Sequence, residues 1–360
     1  MILSHIKKNV LVDIFFAFQI VISIIFFVTG LPLLLYLFLC FLPFNLIIMF
    51  LKGVELKSIF IVGVLFLIIL LFGFNNNYSE NLWLPSLVLS FNCFLISCQF
   101  YSDSARKYMF FIVFILNIYV FFVGFVNGFS LDFGEMIFFE RSRNIVSAVL
   151  ILFFIHYMLL SHIHNKKVNI FLAGFLLLNC FILFGRTGIV ISSILFLSVV
   201  YKVYSKFLFY IILMFVSAIV AVYNTFLYEY FKNKTNFASG LDSPRADLFS
   251  EYFYNISGSD LMFGRNIFDC CSQIVLMGNP HNSFILGHMY YGLGYVLLLL
   301  LILIIIVFSK NLYIIFLFSL VFFRYSLDSI GLFYIVDFAL YFLIYFAYKK
   351  GDLRFRLDGV

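Results

Sequence analysis

Long apolar runs, separated by short polar segments, recur along the whole chain. The runs near 207–227 and 284–308 contain no Asp, Glu, Lys or Arg. About 20 apolar residues cross the hydrocarbon core as a helix, because lipid offers no partners for the backbone N–H and C=O groups. Charged residues make up 11% of the chain, against roughly 25% in soluble domains. The sequence therefore predicts an all-α polytopic integral membrane protein.

Twelve apolar runs are predicted transmembrane helices. Pro32 and Pro43 make the second run irregular, and the eleventh is short for a full crossing. The first has no small-residue cleavage site followed by a soluble domain, so we expect it to be retained. The predicted spans lie near 10–29, 31–51, 58–74, 82–101, 108–126, 144–160, 168–184, 189–204, 207–227, 284–308, 311–323 and 330–348.

The basic residues favour a topology with both termini in the cytoplasm. Fifteen of the 23 Lys and Arg residues then lie inside, and every inner loop has at least one, as the positive-inside bias requires. Most of the net charge of +6 then faces the inner surface, which indicates contact with anionic membrane lipid and not with nucleic acid. The outer basic residues are Arg141, Arg143, Arg186, Lys232, Lys234, Arg245, Arg265 and Arg324.

Arginine and lysine are sorted differently by this topology. Twelve of the 14 Lys lie inside, whereas six of the nine Arg lie outside. The positive-inside bias does not predict outer arginines, but a planar guanidinium suits two-point contact with phosphate oxygens. The alternative is that they pair with nearby acidic residues: Asp132, Glu135, Glu140, Asp242, Asp247 and Asp328.

Three segments organise the chain. Residues 1–227 hold nine predicted spans with short loops, 228–283 form one large outer loop, and 284–360 hold the last three spans and an inner C-terminus. Apolar residues recur in the large loop, so we expect it to fold. Cys270 and Cys271 lie in it, and sequence neighbours rarely pair with each other. The spacing of cysteines and other ligands predicts no metal site or cofactor.

A helix is predicted to begin within this loop. Ser243 is a suitable N-cap and Pro244 suits the first helical position. Arg245 would lie in the first turn, where the helix dipole slightly disfavours a cation. It is either a functional residue or a partner of a nearby carboxylate. The apolar face of this helix would comprise Leu248, Phe249, Tyr252 and Phe253.

Two short segments carry candidate functional residues. His281 lies just before the tenth span, where a neutral imidazole can act as a general base; it could also simply hydrogen-bond a loop carbonyl. Arg186 lies in the turn 184–188 between two spans, at the depth of lipid headgroups. It could bind a lipid-linked phosphate or reach ordinary bilayer phosphates.

These residues resemble the bacterial O-antigen ligases and O-antigen polymerases. The family signature is His followed by Asn, Ser or Gln, nine residues, Gly, two residues, and Gly, Thr or Tyr. His281 and Asn282, then Gly292 and Tyr295, fit it, and Arg186-Thr187-Gly188 matches the family's short Arg turn.

The resemblance extends over about 169–306. The stretch from Arg245 to Gly264 is similar to the family's loop helix and its Pro-Leu-Phe-Gly segment, with Met262 departing from that pattern. The N-terminal half of the chain is similar only in hydropathy.

The resemblance implies a metal-independent glycosyltransferase of GT-C-like fold in the bacterial inner membrane. Donor and acceptor would be oligosaccharides on polyprenyl pyrophosphate, joined at the periplasmic face, and a chain-length regulator is an expected partner. His281 would be the catalytic base, and Asn282, Arg141 and Arg143 would bind substrate. The pyrophosphate would be bound by Arg186, Arg245, Arg265 and Arg324.

The alternatives differ in acceptor or in reaction. A ligase would transfer the glycan to lipid A core, whereas a polymerase extends another lipid-linked repeat. A lipid-linked oligosaccharide flippase also has about twelve spans, but it needs charges within its spans. Here Asp13 and Asp337 are the main ones, and both lie near predicted inner helix ends. We expect a polymerase.

Overall fold

The structure is a computed structural model, and it describes residues 2–52, 56–76, 83–130, 133–203, 206–222, 244–277 and 280–357. Regular structure within these ranges is α-helical. The helices, in chain order, are α1 (Ile2–Thr29), α2 (Pro32–Cys40), α3 (Leu42–Leu51), α4 (Leu56–Phe74), α5 (Trp83–Ser97), α6 (Asp103–Val126), α7 (Phe133–Ile137), α8 (Arg143–Ile163) and α9 (Ile170–Ile182). They continue with α10 (Arg186–Val203), α11 (Lys206–Val222), α12 (Pro244–Phe253), α13 (Gly258–Phe263), α14 (Ile267–Cys270), α15 (Ser272–Met277), α16 (Ser283–Phe308), α17 (Leu312–Tyr325) and α18 (Phe338–Leu357).

Within the described ranges, five helical segments are long and apolar enough to cross a membrane. They are Val10–Thr29, Pro32–Leu51, Asp103–Val126, Arg143–Ile163 and Ser283–Phe308. Shorter apolar helices comprise Gly63–Phe74, Leu84–Ser97, Ile170–Ile182, Leu312–Tyr325 and Phe338–Lys349. The described part of the chain is therefore all-helical, with several helices suited to a membrane-embedded protein. Twelve crossings and a GT-C-like fold remain predictions.

The second predicted span is irregular, as its two prolines indicate. α2 begins at Pro32 and ends at Cys40, and α3 begins at Leu42 with Pro43 in its first turn. Proline has no N–H and its ring blocks the preceding turn, so one continuous helical ladder is not formed here.

The helices form two compact units. Unit 1 comprises 1–31 and 102–243, and unit 2 comprises 32–101 and 244–360. Unit 1 has α8 at its core, and 89% of the most apolar stretch of this helix is buried. A helix that is apolar all round is one that other helices surround. Asn179 Nδ2 donates to Asn117 Oδ1 at 2.8 Å, which links α9 to α6 through a buried polar pair.

In unit 2 the last predicted span is shorter as a helix than expected. The prediction places it at 330–348, but α18 begins at Phe338, so Asp337 lies just before the first residue of this helix and not near its predicted inner end. Leu332 and Phe333 adopt positive φ (55° and 79°), which ends any helical path. The carboxylate of Asp337 accepts from Leu332 N at 3.0 Å and from Tyr334 N at 2.7 Å. These buried backbone donors are therefore satisfied without a helix.

The described part of the large loop is folded onto α16. The predicted helix from Pro244 is confirmed as α12, although its predicted N-cap, Ser243, lies outside the described residues. Its predicted apolar face is half right: Leu248 and Tyr252 are fully buried, whereas Phe249 and Phe253 are partly exposed. The buried pair joins a cluster with Ile267, Cys271, Ile274, Ile285 and Met289.

The expectation that neighbouring cysteines stay unpaired is wrong for the loop. Cys270 and Cys271 form a disulfide at the junction of α14 and α15. Cys40, Cys93, Cys98 and Cys180 are free thiols.

Candidate functional site

His281 lies at the entrance to α16 in a backbone conformation that few side chains adopt. Its φ is +47°, and it follows a buried Pro280. Among non-glycine residues, Asn, Asp and His are those most often found in this region. Such conformations cost about 1–3 kcal/mol and persist where surrounding contacts hold them. His281 is half-buried, so its side chain reaches the surface from a backbone that its neighbours fix in place.

Asn282 fastens the start of α16 to a second segment. Its Oδ1 accepts from Phe284 N at 2.8 Å and from Ile285 N at 3.2 Å, which caps the helix. Its Nδ2 donates to Ser326 O at 2.9 Å, and its backbone N donates to Ser329 Oγ at 3.1 Å. The residue after His281 is therefore held from both sides.

Ser283 continues this connection inside the protein. Its hydroxyl donates to Asp328 O at 2.6 Å and accepts from Ile330 N at 3.1 Å and Gly331 N at 3.0 Å. Ser283 is fully buried, so each of these bonds replaces a contact with water. Sequence reasoning did not single out Ser283 or the segment 326–331, because nothing in a residue type shows which distant backbone it will meet.

Arg324 and Asp328 form a buried ion pair under this connection. Arg324 Nη2 lies 3.0 Å from Asp328 Oδ2, and the two residues are 0% and 2% exposed. The alternative that an outer arginine pairs with Asp328 is therefore confirmed for Arg324. The Arg324 side chain reaches no solvent in this structure. Pyrophosphate binding by Arg324 therefore stays a prediction.

Arg265 is also engaged within unit 2. Its Nη1 donates to the carbonyls of Tyr252 and, at 2.8 Å, Tyr254. Its Nε lies 3.9 Å from Asp260 Oδ2, so that contact is weak. Arg265 thus donates to carbonyl groups at the C-terminal end of α12, where a cation is favoured by the helix dipole. Its predicted contact with pyrophosphate remains a prediction.

The signature glycine has a structural role that the motif alone does not reveal. Gly292 has φ +48° and ψ −132° inside α16, and a Cβ there would lie 2.1 Å from Met262 O. Gly264 has φ +83°, and a Cβ on it would lie 2.3 Å from Met289 O. The two glycines let the end of α13 contact the kink of α16 directly. The two segments that carry the family resemblance, around Gly264 and around Gly292, are therefore in contact.

The other signature residue, Tyr295, closes the entrance of α16. Its hydroxyl donates to Ser283 O at 3.0 Å, and its ring occupies the place where a Cβ on Gly287 would stand, 2.2 Å away. Tyr295 thus binds the carbonyl of the second residue after His281. His281, Asn282, Ser283 and Tyr295 thus form one corner of unit 2, and Gly292 forms the kink of the same helix.

A second histidine lies two helical turns beyond His281. Burial raises the pKa of the Tyr252 phenol, so it stays protonated and donates to His288 Nδ1 at 2.8 Å. His288 Nε2 then donates to Leu261 O at 3.3 Å. His288 thus joins α12, α13 and α16. Sequence reasoning missed it, and its seven-residue spacing from His281 was the available signal.

The predicted arginines of unit 1 lie at the starts of two helices. Arg143 is the first residue of α8 and Arg186 the first of α10, and both are half-buried. A Cβ on Gly185 would lie 2.9 Å from Asn144 Oδ1, so the two helix starts are in contact. Two N-terminal dipoles and two guanidinium groups therefore share one end of unit 1, which favours an anion.

The remaining predicted residues divide as follows. Arg141 is exposed two residues before α8. Arg245 lies in the first turn of α12, as predicted, but its side chain lies outside the part of the chain described.

Comparison with protein-family models, with curated proteins and with solved structures gives no match to this chain. The resemblance carried by the motifs thus remains a hypothesis.

The cap beside His281 provides a first prediction. Asn282→Ala should lower stability by about 1 kcal/mol, the usual cost of losing an N-cap side chain. Asn311→Ala is the matched control, because Asn311 caps α17 through the same two bonds, to Tyr313 N and Ile314 N. We expect a somewhat larger melting shift for Asn282→Ala, which also loses its bond to Ser326 O, and a loss of the activity that the sequence resemblance implies only for that variant. Equal activity in the two variants would remove Asn282 from the site.

Proposed function

We propose that the chain polymerises oligosaccharide repeat units carried on polyprenyl pyrophosphate, at the periplasmic face of a bacterial inner membrane. The observation that carries this proposal is the corner built around His281. A half-buried imidazole is held in a left-handed backbone conformation between Pro280 and a doubly fastened Asn282. A base carried on a backbone held in this way suits chemistry that needs it at one fixed position.

The reaction is an inverting glycosyl transfer. An acceptor hydroxyl attacks the anomeric carbon of the donor sugar, a new C–O bond forms, and the bond to the pyrophosphate oxygen breaks. His281 takes the proton of the hydroxyl, and polyprenyl pyrophosphate leaves as an anion. Each transfer therefore lengthens the glycan by one repeat unit and releases one polyprenyl pyrophosphate.

Departure of the pyrophosphate requires positive charge. Fixed cations and helix N-termini stabilise a developing anion most effectively where water is excluded. Arg186 and Arg143, at the paired helix starts of unit 1, support this part of the proposal, and pyrophosphate binding by Arg245 is proposed from the sequence resemblance alone. Arg324 is proposed to act as a positioning residue, because its ion pair holds the segment that binds Ser283.

A glycan banding gel tests the proposal in a strain from which the chain is deleted. Loss of a polymerase should leave single repeats attached to lipid A core, because transfer to core continues without elongation. Bare core would instead indicate a ligase and would overturn the proposed acceptor. Membranes given lipid-linked repeats already on the outer face test the flippase alternative. Normal long-chain glycan from such membranes without the chain would reject a polymerase.

A further inference from the structure

The lining of a cleft in unit 1 includes none of the site residues predicted from the sequence. Its volume is about 550 Å³, within the roughly 300–1,000 Å³ typical of small-molecule sites. It lies where the start of α6, the body of α8 and the start of α9 meet. The residues that line it are Arg106, Lys107, Phe110, Phe111, Tyr157 and 167–171.

The polar end of the cleft has an excess of positive charge. Arg106, Lys107 and Lys167 are three cations in its lining. Asp103 is the acidic neighbour, 2.8 Å from Arg106 Nε and 3.6 Å from Lys107 Nζ. Lys107 and Lys167 are exposed, and the first turn of α9 adds the positive end of a helix dipole. This end is therefore suited to an anion.

The other end of the cleft is aromatic. Phe110 packs against Tyr157 with ring centroids 5.8 Å apart, and the buried Tyr157 hydroxyl accepts from Asn169 N at 3.3 Å. Phe111 and Phe171 are 54% and 85% exposed beside it. Exposed rings on apolar helices face lipid chains in a membrane protein. A free phosphate ion has no apolar part that could contact these rings.

We propose that this cleft binds the phosphate headgroup of an anionic phospholipid, with its acyl chains along Phe111 and Phe171. Basic clefts between membrane helices at the inner surface are suited to such headgroups. The topology predicted from the basic residues puts this end of α6, α8 and α9 at that surface. The site is independent of the reaction proposed for His281.

Native mass spectrometry of the purified full chain in detergent tests the site, with phosphatidylglycerol as the probe. Phosphatidylglycerol should be retained and phosphatidylcholine should not. Lys107→Gln with Lys167→Gln should weaken retention roughly fivefold for each lysine, or about 25-fold together. Lys107→Arg with Lys167→Arg keeps both charges and should bind as the wild type does.

Lys206→Gln with Lys310→Gln is the matched control, since both lysines are exposed and predicted to face the same side. It should leave retention unchanged. Equal retention of phosphatidylcholine would overturn the proposal. So would unchanged binding by the double glutamine variant, or complete competition by inorganic phosphate at an equal concentration. A loss in the arginine variant as well would show a packing defect and would also overturn it.

Discussion

His281→Ala is expected to lower the rate of glycan polymerisation by about 10²–10⁴-fold, the usual contribution of one positioned general base. Insertion into the membrane should be unaffected, because His281 lies outside α16 and the apolar run of that helix is unchanged. Chain-length distribution on a banding gel, in a deletion strain complemented with the variant, measures the effect. Amounts of protein in the membrane fraction must be equal.

A loss in the alanine variant alone would not separate chemistry from backbone conformation. Alanine adopts φ +47° less readily than histidine does. His281→Asn is the better test, because asparagine tolerates this conformation but cannot take a proton at neutral pH. We expect His281→Asn to be as inactive as His281→Ala but closer to the wild type in melting temperature.

His164→Ala serves as the control for loss of an imidazole elsewhere. His164 is the C-cap residue of α8, in unit 1, at the end opposite to Arg143. This variant should elongate glycan normally. Near-normal activity of His281→Asn would contradict the assignment of His281 as a base, and His281 would then be a residue that only shapes the entrance of α16.

Hydropathy predicts much of the fold. Where the predicted helix bounds differ from the structure, the cause is local. The broken second helix was predictable because Pro43 removes an N–H donor and blocks the preceding turn. The late start of α18 was not, because Asp337 satisfies the backbone at 332 and 334 through contacts that no apolar periodicity encodes.

The candidate site shows the same division. The position of His281 before a helix was predictable from the apolar run that follows it. Its left-handed backbone was not predicted, and neither was the role of Gly292, whose missing Cβ lets Met262 approach. The pairing of Arg324 was open between phosphate and carboxylate, because sequence reveals charge but not burial. Burial decides which partner is present in the structure.

Removing Arg324 should be among the most destabilising changes in unit 2. Arg324→Leu leaves the carboxylate of Asp328 buried without the guanidinium that lies 3.0 Å away. Breaking a buried ion pair from one side typically costs about 3–5 kcal/mol, because a desolvated charge remains. Asp328→Leu should cost a similar amount from the other side. Unfolding by SDS titration of the purified chain measures both.

The double variant, Arg324→Leu with Asp328→Leu, decides what the pair is for. Replacing both partners by apolar side chains removes both buried charges, so we expect stability to return close to that of the wild type. If the pair acts by positioning the segment that binds Ser283, polymerisation should recover together with stability. If stability recovers and polymerisation stays lost, Arg324 acts on the substrate, as the sequence resemblance implies. A single variant as stable as the wild type would contradict the buried pair itself.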